Sequence, residues 1–482
     1  MTVNKIYSNF LWRFFERCGA QGVTFIVSLV LARLLDPDVY GTVALVTVFT
    51  TIMQAFVDSG MGNALIQKKN ADDLDFSTVF YFNLAISFAL YAIMFFVAPL
   101  IGRFYDKPEL VTMIRVLSII ILIAGVKNIQ QAYVSRNLLY KKFFFATLSG
   151  TIAAAIAGIF MAYLGFGAWA LVTQMLLNAL VDTVFLWFTV KWRPHKMFSF
   201  KRLKSLFSFG WKLLISALLD IIYNELAQLV IGKKYSSSDL GYYNRGKQFP
   251  SVFVSNVNVA IDSVLLPVMS KDQDSIDRIK IMTRRSVRVG IYVMSPIMIG
   301  LAVCGKPLIR LILTEKWLPA VPYLWIFCII YLLYPVQTAN LNAIKAIGRS
   351  DVYLYLEVIK KVIGVVILII SMNYGVFAVA CGVMITRILY QVINAIPSKR
   401  IFNYNYLEVV KDLFPSILVS AVMGVCVYSI TLLNFPDLVT LIIQIPLGAV
   451  VYILISYFFK LDSFIYIKNN LKGFNFKKNN KH

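Results

Sequence analysis

FLWRFFERCGAQGVTFIVSLVLARLLDPDVYGTVALVTVFTTIMQAFVDSGMGNALIQKK, from Phe10 to Lys69, is two apolar runs joined at Asp36-Pro37-Asp38-Val39-Tyr40-Gly41 and closed by Asp58-Ser59-Gly60-Met61-Gly62 ahead of Lys68 and Lys69. Each run approaches the ~20 residues an α-helix needs to cross a bilayer, so the stretch reads as a membrane helical hairpin. A plain anchor would not carry Arg13, Glu16 and Arg17. At i, i+3 and i+4 they project from one face of the first helix.

Composition extends this reading to the whole chain. With 482 residues, 59% hydrophobic, 14% aromatic and 15% charged, it has too much apolar surface for one soluble core, and its charges gather between apolar runs. The fold class is therefore an all-α polytopic membrane protein. The formal charge of +23 sits mostly in short loops, with no RNA- or DNA-binding motif beside it, which argues against nucleic acid as a partner. Cys18, Cys304, Cys328, Cys381 and Cys426 lie inside apolar runs without CxxC spacing and read as reduced packing residues. Because charges interrupt the first apolar run and no small-x-small cleavage site follows, that run is expected to be retained as a span.

Windows of about 20 apolar residues place spans near 10–34, 40–64, 76–101, 110–132, 144–164 and 168–190. After the basic segment Lys191 to Lys212, which holds seven Lys or Arg, come 209–232, 242–268, 287–312, 319–344, 352–372 and 375–396, then a pair near 413–433 and 437–459. The expected organisation is an N-terminal lobe (1–190), an amphipathic basic connector (191–212), a second lobe (213–398), a C-terminal helix pair (399–460) and a basic tail (461–482), about 14 spans in all. With the N-terminus in the cytoplasm, 32 of the 47 basic residues fall on that side and about 11 on the other, so both termini are expected to be cytoplasmic.

The halves resemble each other. At an offset of 200, Leu35 to Gly41 lies over Tyr235 to Gly241; at 208, Gly167-Ala168-Trp169-Ala170 lies over Gly375-Val376-Phe377-Ala378. A parallel repeat of two six-helix lobes in pseudo-twofold arrangement, plus the C-terminal pair, is the simplest account.

Ionisable groups within spans include Arg13, Glu16, Arg17, Asp58, Lys127, Asp182, Asp220, Glu225, Asp262 and Arg387. Each costs at least about 2.5–3.5 kcal/mol at a helix centre, so the deep ones should face a protein interior or a watery cavity. Arg13, Asp58 and Lys127 can alternatively snorkel to the interface. Asp220 and Glu225 lie far from either end of their expected span, and Asp220, Asn224 and Gln228 form an i, i+4, i+8 stripe. Such a stripe is either interhelical glue or the wall of an aqueous path; the path makes the carboxylates proton or cation sites. Arg387 supplies the other sign. The eighth span is the least lipid-compatible, with Arg245, Lys247, Gln248, Asn256, Asn258, Asp262 and a backbone-breaking Pro250.

No enzymatic constellation accompanies these groups. His195 and His482 are the only histidines, and no P-loop or GxGxxG follows a strand, so no metal, no cofactor and no catalytic residues are expected. The connections opposite the basic side leave no room for a catalytic domain.

Leu31-Ala32-Arg33-Leu34-Leu35-Asp36-Pro37-Asp38-Val39-Tyr40-Gly41, Asp58 through Lys68, and Ser135-Arg136-Asn137-Leu138 followed by Tyr140-Lys141-Lys142-Phe143 carry a family resemblance. The chain resembles the Wzx-like polysaccharide flippases of the multidrug/oligosaccharidyl-lipid/polysaccharide (MOP) superfamily, within them the colanic and teichuronic acid exporters. The resemblance implies two six-helix lobes forming a V around a cavity in a bacterial plasma membrane. It also implies alternating-access transfer of undecaprenyl-diphosphate-linked oligosaccharide to the outer leaflet, with H+ or Na+ coupling. Polymerase and glycosyltransferase partners fit that role. A cavity receiving a diphosphate calls for Arg and Lys donors, for which Arg17, Arg33, Lys247, Lys345 and Arg387 are the candidates, with Asp220 and Glu225 for the coupling ion. The remaining candidates are Arg13, Glu16, Asp58, Lys127, Asp182, Arg245 and Asp262.

Two other classes compete. A multidrug extruder of the same superfamily shares the layout, but cationic drugs favour an acidic cavity over a basic one. A membrane polymerase or ligase would need a large external loop with catalytic groups.

Overall fold

The structure is a computed structural model that describes residues 19, 21–58, 61–68, 70–272 and 275–469. Those residues form helices and turns, with no strand among them. The chain divides into two units, Met1–Gly241 and Tyr242–His482.

Unit 1 contains α1 (Gln21–Leu34), α2 (Pro37–Asp58), α3 (Met61–Gln67), α4 (Asp73–Phe104), α5 (Glu109–Leu117), α6 (Ile119–Arg136), α7 (Tyr140–Tyr163), α8 (Ala168–Thr189) and α9 (Phe200–Lys234). α10 (Ser237–Lys271) starts in unit 1 and continues into unit 2. Unit 2 holds α11 (Ile276–Val303), α12 (Gly305–Leu313), a 3-10 turn (Glu315–Ala320), α13 (Val321–Leu332), α14 (Tyr334–Ala346), α15 (Ser350–Ser371), α16 (Val376–Phe402), α17 (Tyr406–Thr431) and α18 (Asp437–Phe458). A last helical stretch covers 462–469. Eleven segments among the described residues are long and apolar enough to cross a membrane, with α5 and α6 counted as one and α13 and α14 as another. The 35-residue α10 and the 22-residue α15 have the length but carry more polar and charged residues.

Helix boundaries recur at similar offsets in the two halves, at some places where the sequence repeats and at others where it does not. α1 ends at Leu34 and α2 starts at Pro37; 200 positions on, α9 ends at Lys234 and α10 starts at Ser237. The α6–α7 boundary, Arg136 to Tyr140, recurs 210 positions on at Ala346 to Ser350. In the first of those turns Leu138 has φ 55°, and in the second Gly348 has φ 80°. Gly167 and Gly375, which precede α8 and α16, also have positive φ, 53° and 104°.

The repeated turns of α2 and α10 meet inside unit 1. A Cβ on Gly41 would lie 1.7 Å from the Ser237 carbonyl oxygen, and one on Gly241 would lie 2.1 Å from the Pro37 carbonyl oxygen. Only hydrogen side chains permit this approach of two backbones. Lys107 Nζ adds a 2.6 Å hydrogen bond to Ser237 Oγ, and Lys233 pairs with Asp106 at 2.8 Å.

Elsewhere in unit 1, α7 offers α8 a row of small residues at four-residue spacing, Ala146, Gly150, Ala154, Gly158 and Ala162. This close-packed seam substitutes dispersion contact for the hydrophobic effect that lipid cannot supply. α9, expected at the head of the second half, packs on α2, α3 and α4. It starts at Phe200, nine residues before the expected 209, because Ser199 caps it by accepting the Arg202 N–H. The preceding stretch is held to α4: the Trp192 indole N–H donates to Asp73 at 3.0 Å, and the His195 N–H to Ser77 Oγ at 3.0 Å.

In unit 2, α11 packs against α14 and α17. The C-terminal pair docks through buried polar contacts, Ser420 Oγ to Ser295 Oγ at 2.7 Å and Tyr452 Oη to the Tyr292 carbonyl at 2.8 Å. Prolines act in two ways here. Pro99, Pro296, Pro397, Pro415 and Pro446 sit inside helices, whereas Pro322 and Pro335 open α13 and α14, where a missing N–H costs nothing.

Candidate functional site

Each unit gathers charge inside apolar helices. In unit 1 the gathering point is α6, whose consecutive residues Lys127 and Asn128 point about 100° apart and so reach different neighbours. Lys127 Nζ lies 2.5 Å from Asp182 Oδ2 on α8, with side chains 20% and 9% exposed. Asn128 donates to Asp58 Oδ1 at the end of α2, at 2.6 Å. One turn on, Gln130 donates to the Trp192 carbonyl at 3.2 Å. The α7 seam assists, because the small Gly150 lets the backbone of α8 approach beside Asp182.

In unit 2 the polar set lies on α15 and α16. Lys360 is 1% exposed and pairs with Glu357 at 2.5 Å, one turn back on α15. Its ammonium stands over the Tyr390 ring at 5.4 Å, and Tyr390 Oη donates to the Lys360 carbonyl at 2.7 Å. Arg387 approaches the same ring at 5.6 Å. Arg387, Tyr390, Gln391, Asn394 and Ser398 share one face of α16 at i, i+3, i+4, i+7 and i+11. Gln391 donates to the Leu333 carbonyl at the α13–α14 junction, 3.3 Å away. Asn394 is fully buried, and both its amide nitrogen and its oxygen lack hydrogen-bond partners. Unspent hydrogen-bonding capacity inside a membrane helix is costly.

The sequence candidates fall into distinct settings. Lys127 and Asp182 pair with each other, and Asp58 joins them through Asn128. Arg387 joins the α16 set. Lys345 is exposed and lies 4.4 Å from the Tyr353 ring. Arg245 is buried, hydrogen-bonds Gln248 at 2.5 Å and stands over Trp317, while Lys247 beside it is half-buried. Arg33 is exposed near the end of α1. Asp220 and Asn224 are exposed on α9, whereas Glu225 is half-buried and accepts from buried Gln228. Arg13, Glu16 and Arg17 lie outside the described residues, as does the side chain of Asp262.

Two charged groups stand apart from the sequence candidates. Glu357 and Lys360 sit at i, i+3 on a helix that turns apolar from Val362, a spacing visible in the sequence. Asp412 holds Arg284 and Arg288 of α11 at 2.8 and 2.6 Å and accepts from Tyr404 Oη at 3.0 Å. No group of three metal-ligating side chains occurs among the described residues.

Buried charge within membrane helices serves either to lock helices together or to line a transport path, and comparison with known proteins gives the family. Residues 30–322 match the family described as "Polysaccharide biosynthesis protein". The chain belongs to the polysaccharide biosynthesis protein family. The teichuronic acid biosynthesis protein TuaB of Bacillus subtilis strain 168 is 27% identical over 433 residues, covering 84% of this chain and 85% of its own. The lipopolysaccharide biosynthesis protein WzxC of Escherichia coli strain K12 is 24% identical over 418 residues, covering 84% of each chain. The succinoglycan biosynthesis transport protein ExoT of Rhizobium meliloti strain 1021 is 24% identical, covering 75% of this chain and 74% of its own. Among solved structures, the lipid II flippase MurJ in its inward closed conformation shares the fold, with a TM-score of 0.76 at 16% identity over 93% of this chain and 99% of MurJ. An inward-facing multidrug resistance MATE family transporter of the MOP superfamily aligns less closely, with a TM-score of 0.60 at 15% identity over 78% of this chain and 93% of its own.

Proposed function

We propose that this member of the polysaccharide biosynthesis protein family is a flippase. It moves polyprenyl-diphosphate-linked oligosaccharide repeat units from the cytoplasmic to the outer leaflet of a bacterial plasma membrane. The observation that carries the reading is similarity over 75–84% of the chain to proteins of three polysaccharide systems, set on the fold of a lipid II flippase. A MATE-like fold alone would fit drug extrusion equally; family membership favours the glycan lipid.

In this reading the chain crosses the membrane 14 times with both termini cytoplasmic, α1, α10 and α15 joining the eleven more apolar spans. Arg387, Lys247, Lys345, Arg33 and Arg17 serve as diphosphate donors, and Asp220 and Glu225 as sites for H+ or Na+. The positive sign suits the substrate, since guanidinium and ammonium groups form charge-assisted hydrogen bonds to phosphate oxygens. Energy comes from an ion gradient, with glycosyltransferases and a polymerase acting before and after the transfer. The test is deletion of the gene with and without complementation. Loss of surface polysaccharide with unchanged drug susceptibility supports the flippase; the converse overturns it.

A further inference from the structure

A cavity of about 300 Å³ opens between α11 and the helical stretch 462–469, lined by Arg284, Arg285, Arg288, Asp462 and Tyr466. Its cations differ in how far they are committed. Arg284 is held bidentately by Asp412, Nε and Nη2 each at 2.8 Å. Arg288 contacts Asp412 at 2.6 Å and Asp462 at 2.9 Å. Arg285 stacks on the Tyr466 ring at 4.9 Å and has no hydrogen-bond or ion-pair partner among the described residues. Three guanidiniums thus meet two carboxylates, leaving one positive charge and a planar fork of donors inside a concavity.

Its level along the helix matters as much as its charge. Val289 to Gly305 carries no charged residue, so Arg284, Arg285 and Arg288 fall within the turn or so that precedes the apolar run. Arginines at that level sit among headgroups. Ile281, exposed, and Val289 line the same cavity, giving it an apolar wall beside the cations. Free phosphate has no use for such a wall, whereas a lipid presents a phosphate and a hydrocarbon edge together.

We propose that this cavity binds the phosphodiester of an anionic glycerophospholipid, with Arg285 as the principal donor, Tyr466 fixing its guanidinium plane, and the Asp412-anchored Arg284 contributing its remaining Nη1. The inference rests on the placement of α11 in a bilayer and not on the transport reading. Occupancy would tie 462–469 to α11 and steady the C-terminal helix pair.

The test uses the full-length, delipidated protein with dioctanoyl phosphatidylglycerol, dioctanoyl phosphatidylcholine and inorganic phosphate as separate probes, read by thermophoresis. Phosphatidylglycerol should bind saturably, phosphatidylcholine at least tenfold more weakly, and inorganic phosphate should not displace the lipid at millimolar concentration. Arg285→Gln should weaken phosphatidylglycerol binding about tenfold, the scale of one charge-assisted contact of about 1.4 kcal/mol, while Arg285→Lys keeps part of it. Arg285 holds no buried partner, so both variants should elute like the wild type. Should Arg285→Gln not fold, Tyr466→Leu, which removes the stacking ring, should weaken binding in the same direction. Equal binding of phosphatidylcholine, displacement by inorganic phosphate, or unaltered affinity in the variants would each overturn the proposal.

Discussion

Replacing Lys127 by methionine keeps the length of the stem and removes the cation 2.5 Å from Asp182. The carboxylate, 9% exposed on a helix inside the membrane, is then left without its counter-charge. Breaking a buried pair from one side costs about 3–5 kcal/mol, and the depth of Asp182 favours the upper part. Asp182→Asn is milder, about 1–3 kcal/mol, because Lys127 is more exposed and its stem can carry the ammonium toward water. Removing both charges together, as Lys127→Met with Asp182→Leu, should recover most of the loss, since a buried pair replaced by apolar groups is close to neutral. The midpoint of thermal aggregation, followed by fluorescence-detected size exclusion in detergent, should fall on the order of 10 °C for Lys127→Met at ~2–4 °C per kcal/mol and rise again in the double variant. If Lys127→Met melts with the wild type, or the double variant is no better than the single one, the pair does not hold α6 to α8. Polysaccharide export by the double variant separates roles: normal export makes the pair structural, and lost export with recovered stability makes it part of transport.

Gly41→Ala places a methyl 1.7 Å from the Ser237 carbonyl, a backbone atom that cannot rotate away, so export should be abolished while membrane insertion persists; Gly62→Ala, whose methyl meets a neighbour at 3.9 Å, should be tolerated in the same export assay. Asp412→Asn removes a carboxylate bound by Arg284, Arg288 and Tyr404. The two arginines are about one-third exposed and can rehydrate, so a loss of about 2–3 kcal/mol is expected, short of the full penalty for a buried pair, in the same melting assay. Arg387→Ala and Asp220→Ala should leave insertion and melting near wild type while lipid-linked repeat units accumulate on the inner leaflet; normal surface polysaccharide in both variants would remove these residues from the transport path.

What the sequence made legible follows from local chemistry. Asp36-Pro37 and Gly41 fix a helix end and start, and the same spacing 200 positions later gave the second hairpin, because turns depend on a few residues in order. Apolar windows found the eleven most apolar segments but misplaced several of their ends. α17 starts at Tyr406, not near 413, so Asp412 lies in a helix and not in a loop, and its carboxylate reaches α11. Lys360 went unnoticed for a different reason: it falls inside the expected span 352–372 but beside Lys361 and Glu357, which read as a loop-side charge cluster, whereas it lies more than two turns into α15 and is wholly buried. Depth along a helix also failed to fix orientation. Asp220 lies far from either helix end yet is exposed, while Gln228, eight residues on in the same stripe, is buried. Which side of a helix meets its neighbours depends on partners distant in sequence, such as Gly150 making room beside Asp182.

Reconstitution measures the transport claim most directly. Purified protein in liposomes carrying a fluorescent polyprenyl-diphosphate oligosaccharide, probed from outside with a glycan-cleaving enzyme, should expose the inner-leaflet half of the label in an ion-gradient-dependent manner, with Arg387→Ala slower. A protected inner half, equal to that of protein-free liposomes under every gradient, would contradict the flippase account.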